Sequence, residues 1–185
     1  MKLRNKHLLR LWDTRQGAEK QERPKHHKVE GRFVFDCLFS VAAVASNPKQ
    51  KALSEVAQTL SEQQLVKLRA CRDEVVKRHG DFINQFTHAE DLTMNQHQSE
   101  SHQVQTLSPD DKKYTPQTVM LIKLFHACDA YFNTLYFAHI NGELTHQECS
   151  VLRQETMKTL RSLLALMVKS SMEFHKMKKQ IKGVS

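Results

Sequence analysis

A chain of 185 residues with 39% hydrophobic and 26% charged positions is long enough to bury one core, and one domain with arms is expected in place of two independent units. Five glycines and four prolines are too few for a turn-rich β fold and point to long helices. The net charge of +8 is concentrated: residues 1–32 hold ten Lys or Arg against four Asp or Glu, residues 153–182 eight against two, and residues 33–152 ten against fourteen, a distribution that predicts a polyanion partner.

Residues 1–6 alternate, with Lys2, Arg4 and Lys6 on one side of an extended chain and Met1, Leu3 and Asn5 on the other, as the two-residue period of a strand requires. From about Lys6 the spacing turns helical: Leu8, Leu11 and Trp12 form one stripe, Arg10 and Asp13 turn away, and Gly17 is placed to close the turn. Residues 18–31, with Pro24 inside and no apolar period, read as a basic loop. A helix over residues 32–46 is so apolar that it must be covered on most sides. Asn47 and Pro48 should end it, since the residue before a proline disfavours the helical region.

Two amphipathic runs follow, residues 50–60 and 63–86. Ser61 and Gln64 stand at capping-box spacing, Leu65, Leu68, Cys71, Val75, His79 and Phe82 form a stripe, and Gly80 is placed to kink or stop the helix. Residues 88–113 read as a surface connector with a brief strand at 104–107. Thr115 as cap and Pro116 at the first helical position then open a helix that runs to His139 and ends at Gly142. Thr145 and Glu148 form a second capping box, and the helix they open extends as far as Lys182. Its seam from Cys149 through Leu160 and Met167 to Ile181, spaced by threes and fours, suits a neighbouring helix within the fold or across a dimer axis.

Few residues suggest chemistry. The four cysteines, Cys37, Cys71, Cys128 and Cys149, are widely spaced without a CxxC pair and read as buried thiols of a reducing cytosol. His26 and His27 are adjacent, and His97 and His102 are five apart; neither is a zinc spacing, so no metal or other cofactor is expected. His126 and Asp129 could form a catalytic pair, but a hydrogen bond satisfying both groups is the commoner arrangement. Phosphate loops and nucleophile elbows are lacking, and the chain is expected not to be an enzyme. No secretory leader is legible at the start, and residues 119–140, the most apolar run, are broken by Lys123, His126, Asp129 and Asn133. A cytoplasmic protein without membrane contact is therefore expected.

The comb of Lys2, Arg4 and Lys6 carries more information, because a two-stranded ribbon fits the DNA major groove and presents alternate side chains to base edges. One strand cannot stand alone, and its simplest partner is the same segment of a second subunit, which entails a homodimer. A disordered basic terminus that merely touches phosphates is the plainer alternative.

Two segments resemble one family. The run from His7 through Leu-Leu-Arg-Leu to Trp12, Asp13, Thr14 and Arg15 is similar to its N-terminal signature, and the stretch from Tyr114-Thr115-Pro116 through Asp129 to Ala138-His139 and Gly142-Glu143-Leu144-Thr145 is similar to its second pattern. The family is that of the AcaB-like transcriptional activators of conjugative plasmids and integrative conjugative elements. The resemblance implies ribbon-helix-helix DNA binding: a ribbon at about residues 2–6, a first helix holding Leu8 to Trp12, and a second beginning near Arg32. It also implies activation of transfer genes, with Asp129 and His139 as structural anchors. The long charged segment 18–31 departs from the short inter-helix turn of a minimal module.

The expected fold is mainly α, with a ribbon-helix-helix-like DNA-binding region over residues 1–46 and a helical support and dimerisation region over 47–185, joined in one domain. The expected function is sequence-specific binding of double-stranded DNA as a transcriptional regulator, with possible contact to the transcription machinery. Arg4 would reach a base, and Lys2, Lys6, Arg10, Lys25, Lys28 and Arg32 would mainly neutralise phosphates. The rivals are a helical adaptor of the conjugation machinery without DNA readout, and a divalent-metal nuclease.

Overall fold

The computed structural model describes residues 1–13, 29–47, 51–85, 105–106 and 110–183. In chain order these form β1 (Lys2–Leu3), α1 (Lys6–Trp12), α2 (Gly31–Ala45), α3 (Lys51–Gln85), β2 (Gln105–Thr106), a 3₁₀ turn (Asp111–Lys113), α4 (Pro116–Ile140) and α5 (His146–Gly183). The fold is mainly helical, as the scarcity of glycine and proline predicts. Each of α2, α3, α4 and α5 packs on the other three, and β1 and α1 are laid against this body.

Local chemistry sets several boundaries. Asn5 caps α1, its side-chain oxygen accepting from the backbone N–H of His7 at 2.9 Å. Thr115 and Pro116 open α4 as expected, with Thr118 completing a capping box. Gly142, at φ 81°, follows the end of that helix in the left-handed conformation that glycine adopts without steric cost. The Thr145 backbone N–H donates to Glu148 at 2.8 Å while the Glu148 N–H returns to the Thr145 hydroxyl at 3.2 Å, closing the predicted box at the start of α5.

The core lies between the four long helices. Leu38 of α2, Leu68 of α3, Leu121 and Phe125 of α4, and Leu160 and Leu164 of α5 are fully enclosed, and each contributes about 1.5–3 kcal/mol by leaving water. Val41, Val44, Leu53, Ala57 and Phe174 form a second cluster beyond them. Covering of α2 by three helices answers its apolar sequence, although Phe33 remains exposed. The seam of α5 is used inside the chain as far as Phe174, so neighbouring helices of the same chain occupy it. At the start of α2, Gly31 lies so close to the Trp12 and Phe125 rings that a Cβ would come within 2.8 and 2.9 Å of them. Trp12 packs edge-on to Phe125 at 5.1 Å and to Phe35 at 6.2 Å, fastening α1 to the body.

Three expectations are corrected. Residues 51–85 form one helix with no break at Ser61. Both supposed capping residues are buried: the Gln64 amide donates to Ser170 at 3.0 Å and Ser171 at 3.1 Å, and the Ser61 carbonyl accepts from Gln117 at 3.1 Å. The helix also runs through Gly80 to Gln85. Helix α1 stops at Asp13, whose backbone N–H closes on the Leu9 carbonyl at 3.0 Å. Gly17, Pro48 and most of the segments read as loops lie outside the described residues.

Candidate nucleic-acid interface

The N-terminal arm is held by its backbone. β1 pairs antiparallel with β2, Lys2 opposite Thr106 and Leu3 opposite Gln105. Immediately beyond, the Arg4 N–H donates to both carboxylate oxygens of Asp129 at 3.1 Å, and the Asn5 N–H donates to one of them at 2.8 Å. These are charge-assisted bonds to a carboxylate that is only 8% exposed. Leu3 is fully buried, while Lys2, Arg4 and Lys6 point to solvent. The alternation legible in residues 1–6 therefore gives the right side-chain directions.

The strand itself covers only two residues, and its partner is residues 105–106 of the same chain. That differs from the expected pairing with a second subunit, and the reason is physical. Burying Leu3 and satisfying two consecutive N–H groups on Asp129 places the arm on its own helical body. Asp129 thereby serves the arm and is not hydrogen-bonded to His126, whose ring is exposed and whose pKa is lowered by partial burial and by the N-terminal ammonium. His139 acts as an anchor elsewhere: its Nδ1 lies 3.0 Å from the Leu144 carbonyl, which can only accept, so this nitrogen carries a proton.

The site residues expected from sequence separate into three groups. Lys2, Arg4, Lys6 and Arg10 are exposed along the arm and α1. Arg32, although 59% exposed, reaches the buried Asp13 carboxylate at 3.3 Å and helps neutralise it. Lys25 and Lys28 lie outside the described residues.

Sequence reasoning did not single out Arg153, Lys158 and Arg161, on the first half of α5. Arg4, Lys6, His7 and Arg153 line one depression of about 430 Å³, and His7, Arg153, Lys158 and Arg161 line a second of about 660 Å³. The two share His7 and Arg153 and form one cationic trough between the arm and α5. The His7 ring senses it directly, its pKa lowered by burial and then by Arg153, Lys6, Arg10 and Arg161. Glu155 is the acid lining the second depression. The excess of cations over residues 153–182 was a signal for this, but a linear sequence does not show which turn of α5 meets the arm. Lys176, Lys178 and Lys179 stand roughly 23 Å or more beyond Arg161 along the helix, where Lys178 and Lys179 help lower the pKa of His175.

Among the described residues the ion pairs are Arg32–Asp13, Arg72–Asp73, Arg78–Glu74 and Lys113–Asp36. None uses a cation of the trough. Among the described residues no group of three or more His, Cys, Asp or Glu side chains is placed to hold a metal ion, and no described helix is long and apolar enough to cross a membrane. The four cysteines are free thiols, Cys128 and Cys149 buried and the other two half-buried. Comparison with protein-family models, curated proteins and solved structures finds no match for this chain.

Proposed function

We propose that the chain binds double-stranded DNA as a transcriptional regulator, using the anchored arm and the adjoining turns of α5. The observation that supports this reading is the clustering of cations without ion pairs, from the arm and from a helix about 150 positions away in sequence, along one trough. Unpaired cations held close together repel one another, and a phosphate backbone relieves that repulsion while releasing its condensed counterions. Arg4 projects from the most firmly held point of the arm, since its own N–H is bonded to Asp129, and we assign it the base contact. Lys2, Lys6, Arg10, Arg153 and Arg161 neutralise phosphates. A role in switching on transfer genes of a conjugative element follows from the resemblance of the two motif segments to AcaB-like activators. The intermolecular ribbon is not part of the proposal, because the arm finds its partner strand within the chain.

Fluorescence anisotropy with a selected duplex pool, titrated over a range of salt, tests the reading. Five phosphate contacts predict a slope of log K against log salt of about −4.5. Arg4→Ala should relax sequence preference, whereas Lys6→Ala should weaken all sequences alike and flatten the slope by about one. A slope near zero, or equal loss of preference in both variants, overturns it.

A further inference from the structure

The depression beneath the arm has aromatic and aliphatic lining beside its cations. Phe132, Leu135, Tyr136 and Ile140 line it, with Tyr136 39% and Ile140 58% exposed. Arg4, Lys6 and Arg153 line it as well. The one carboxylate in its lining, Asp129, already accepts from the N–H groups of Arg4 and Asn5. His139 and His146 close one side as an edge-to-face pair at 5.7 Å.

A phosphodiester backbone lying across a surface makes no use of an aromatic and aliphatic lining. A small molecule with a compact unsaturated body and one anionic group uses both halves, and about 430 Å³ is within the range of such sites. We infer that this pocket binds a small aromatic anion, its ring against Tyr136 and Ile140 and its phosphate or carboxylate among Arg4, Lys6 and Arg153. The anion engages three of the cations assigned to DNA, Arg4 at a base and Lys6 and Arg153 at phosphates, so its binding opposes DNA binding. That regulatory consequence rests on the DNA-binding reading, whereas occupancy of the pocket does not.

Isothermal titration calorimetry of the full chain with phenyl phosphate, benzoate, inorganic phosphate and benzyl alcohol separates the contributions of charge and ring. Phenyl phosphate or benzoate should bind more tightly than either single-feature probe by on the order of tenfold or more, the worth of burying one ring. Ile140→Glu, at an exposed position, should abolish binding of the aromatic anions, and Arg153→Gln should weaken it if the first variant fails to fold. Equal affinity for phenyl phosphate and inorganic phosphate, or no saturable heat at millimolar probe, overturns the site. In a parallel anisotropy assay the aromatic anion should raise the apparent Kd for DNA. Binding of the anion with unchanged DNA affinity overturns the antagonism alone, and absence of DNA binding without any anion present counts instead against the function proposed above.

Discussion

Two groups of cations in this molecule look alike in sequence and behave differently in the fold. Around α2 two cations have an acid: Arg32 reaches Asp13 and Lys113 reaches Asp36 at 2.7 Å. Across the trough, Lys6, Arg10, Arg153 and Arg161 surround a partly buried histidine and make no ion pair among the described residues. A charge count cannot separate the groups, because pairing within the fold cancels field that a partner would otherwise feel. What distinguishes them is where the acids fall. Asp13 and Asp36 sit beside their cations, whereas Asp129, the carboxylate under the arm, is engaged by backbone N–H groups.

The comparison is broken most directly by removing the unpaired group. Lys2→Ala, Arg4→Ala, Lys6→Ala and Arg10→Ala combined should lower DNA affinity on the order of a hundredfold at moderate salt, while the melting temperature stays near that of the parent. Unchanged affinity by anisotropy would sink the distinction. Next in size is Asp129→Ala, which leaves the Arg4 and Asn5 N–H groups without their acceptor and should cost about 1–3 kcal/mol in urea unfolding. The same variant should lose DNA affinity severalfold as the arm lifts away, and if affinity is retained, docking of the arm is irrelevant to the interface.

Arg32→Ala sharpens the contrast from the other side. Removal of one partner of Asp13 should reduce stability by on the order of 1 kcal/mol or less, because the guanidinium is largely solvated. DNA affinity should move by less than about twofold, within the range of a contact that phosphates do not share.

The smallest effect is a pH dependence centred on His7. Burial and four surrounding cations hold its pKa below the ordinary histidine value of 6.5, so the free protein keeps the ring neutral. A phosphate nearby favours the imidazolium and raises that pKa, so binding takes up a proton. Affinity should therefore rise as pH falls through the pKa of the complex and level off below that of the free protein. A His7→Gln variant should show a flatter profile, and an identical slope in both proteins would remove His7 from the trough.

How much of this was legible in sequence depended on whether the determinant was local. The Thr115–Pro116 start and the Thr145–Glu148 box are complete within four residues, and both appear as expected. Ser61 and Gln64 display the same local spacing and yet lie mid-helix, because the acceptors of the Gln64 amide are serines more than a hundred positions away. The arm shows the same division. Its alternation gave the outward direction of Lys2, Arg4 and Lys6, while its partners, Gln105, Thr106 and Asp129, were invisible to any period along the chain. The meeting of His7 with Arg153 and Arg161 is likewise a product of helix packing.

The bond from Arg4 to Asp129 spans 125 positions, and this separation has a consequence for biosynthesis. The arm leaves the ribosome before its seat, which is translated roughly 6 to 25 s afterwards at about 5–20 residues per second. A nascent chain therefore carries this cationic segment without its seat, and the trough is assembled only once α4 and α5 have emerged and folded. Chains stalled or cleaved before that point would display positive charge without the geometry to discriminate among sequences.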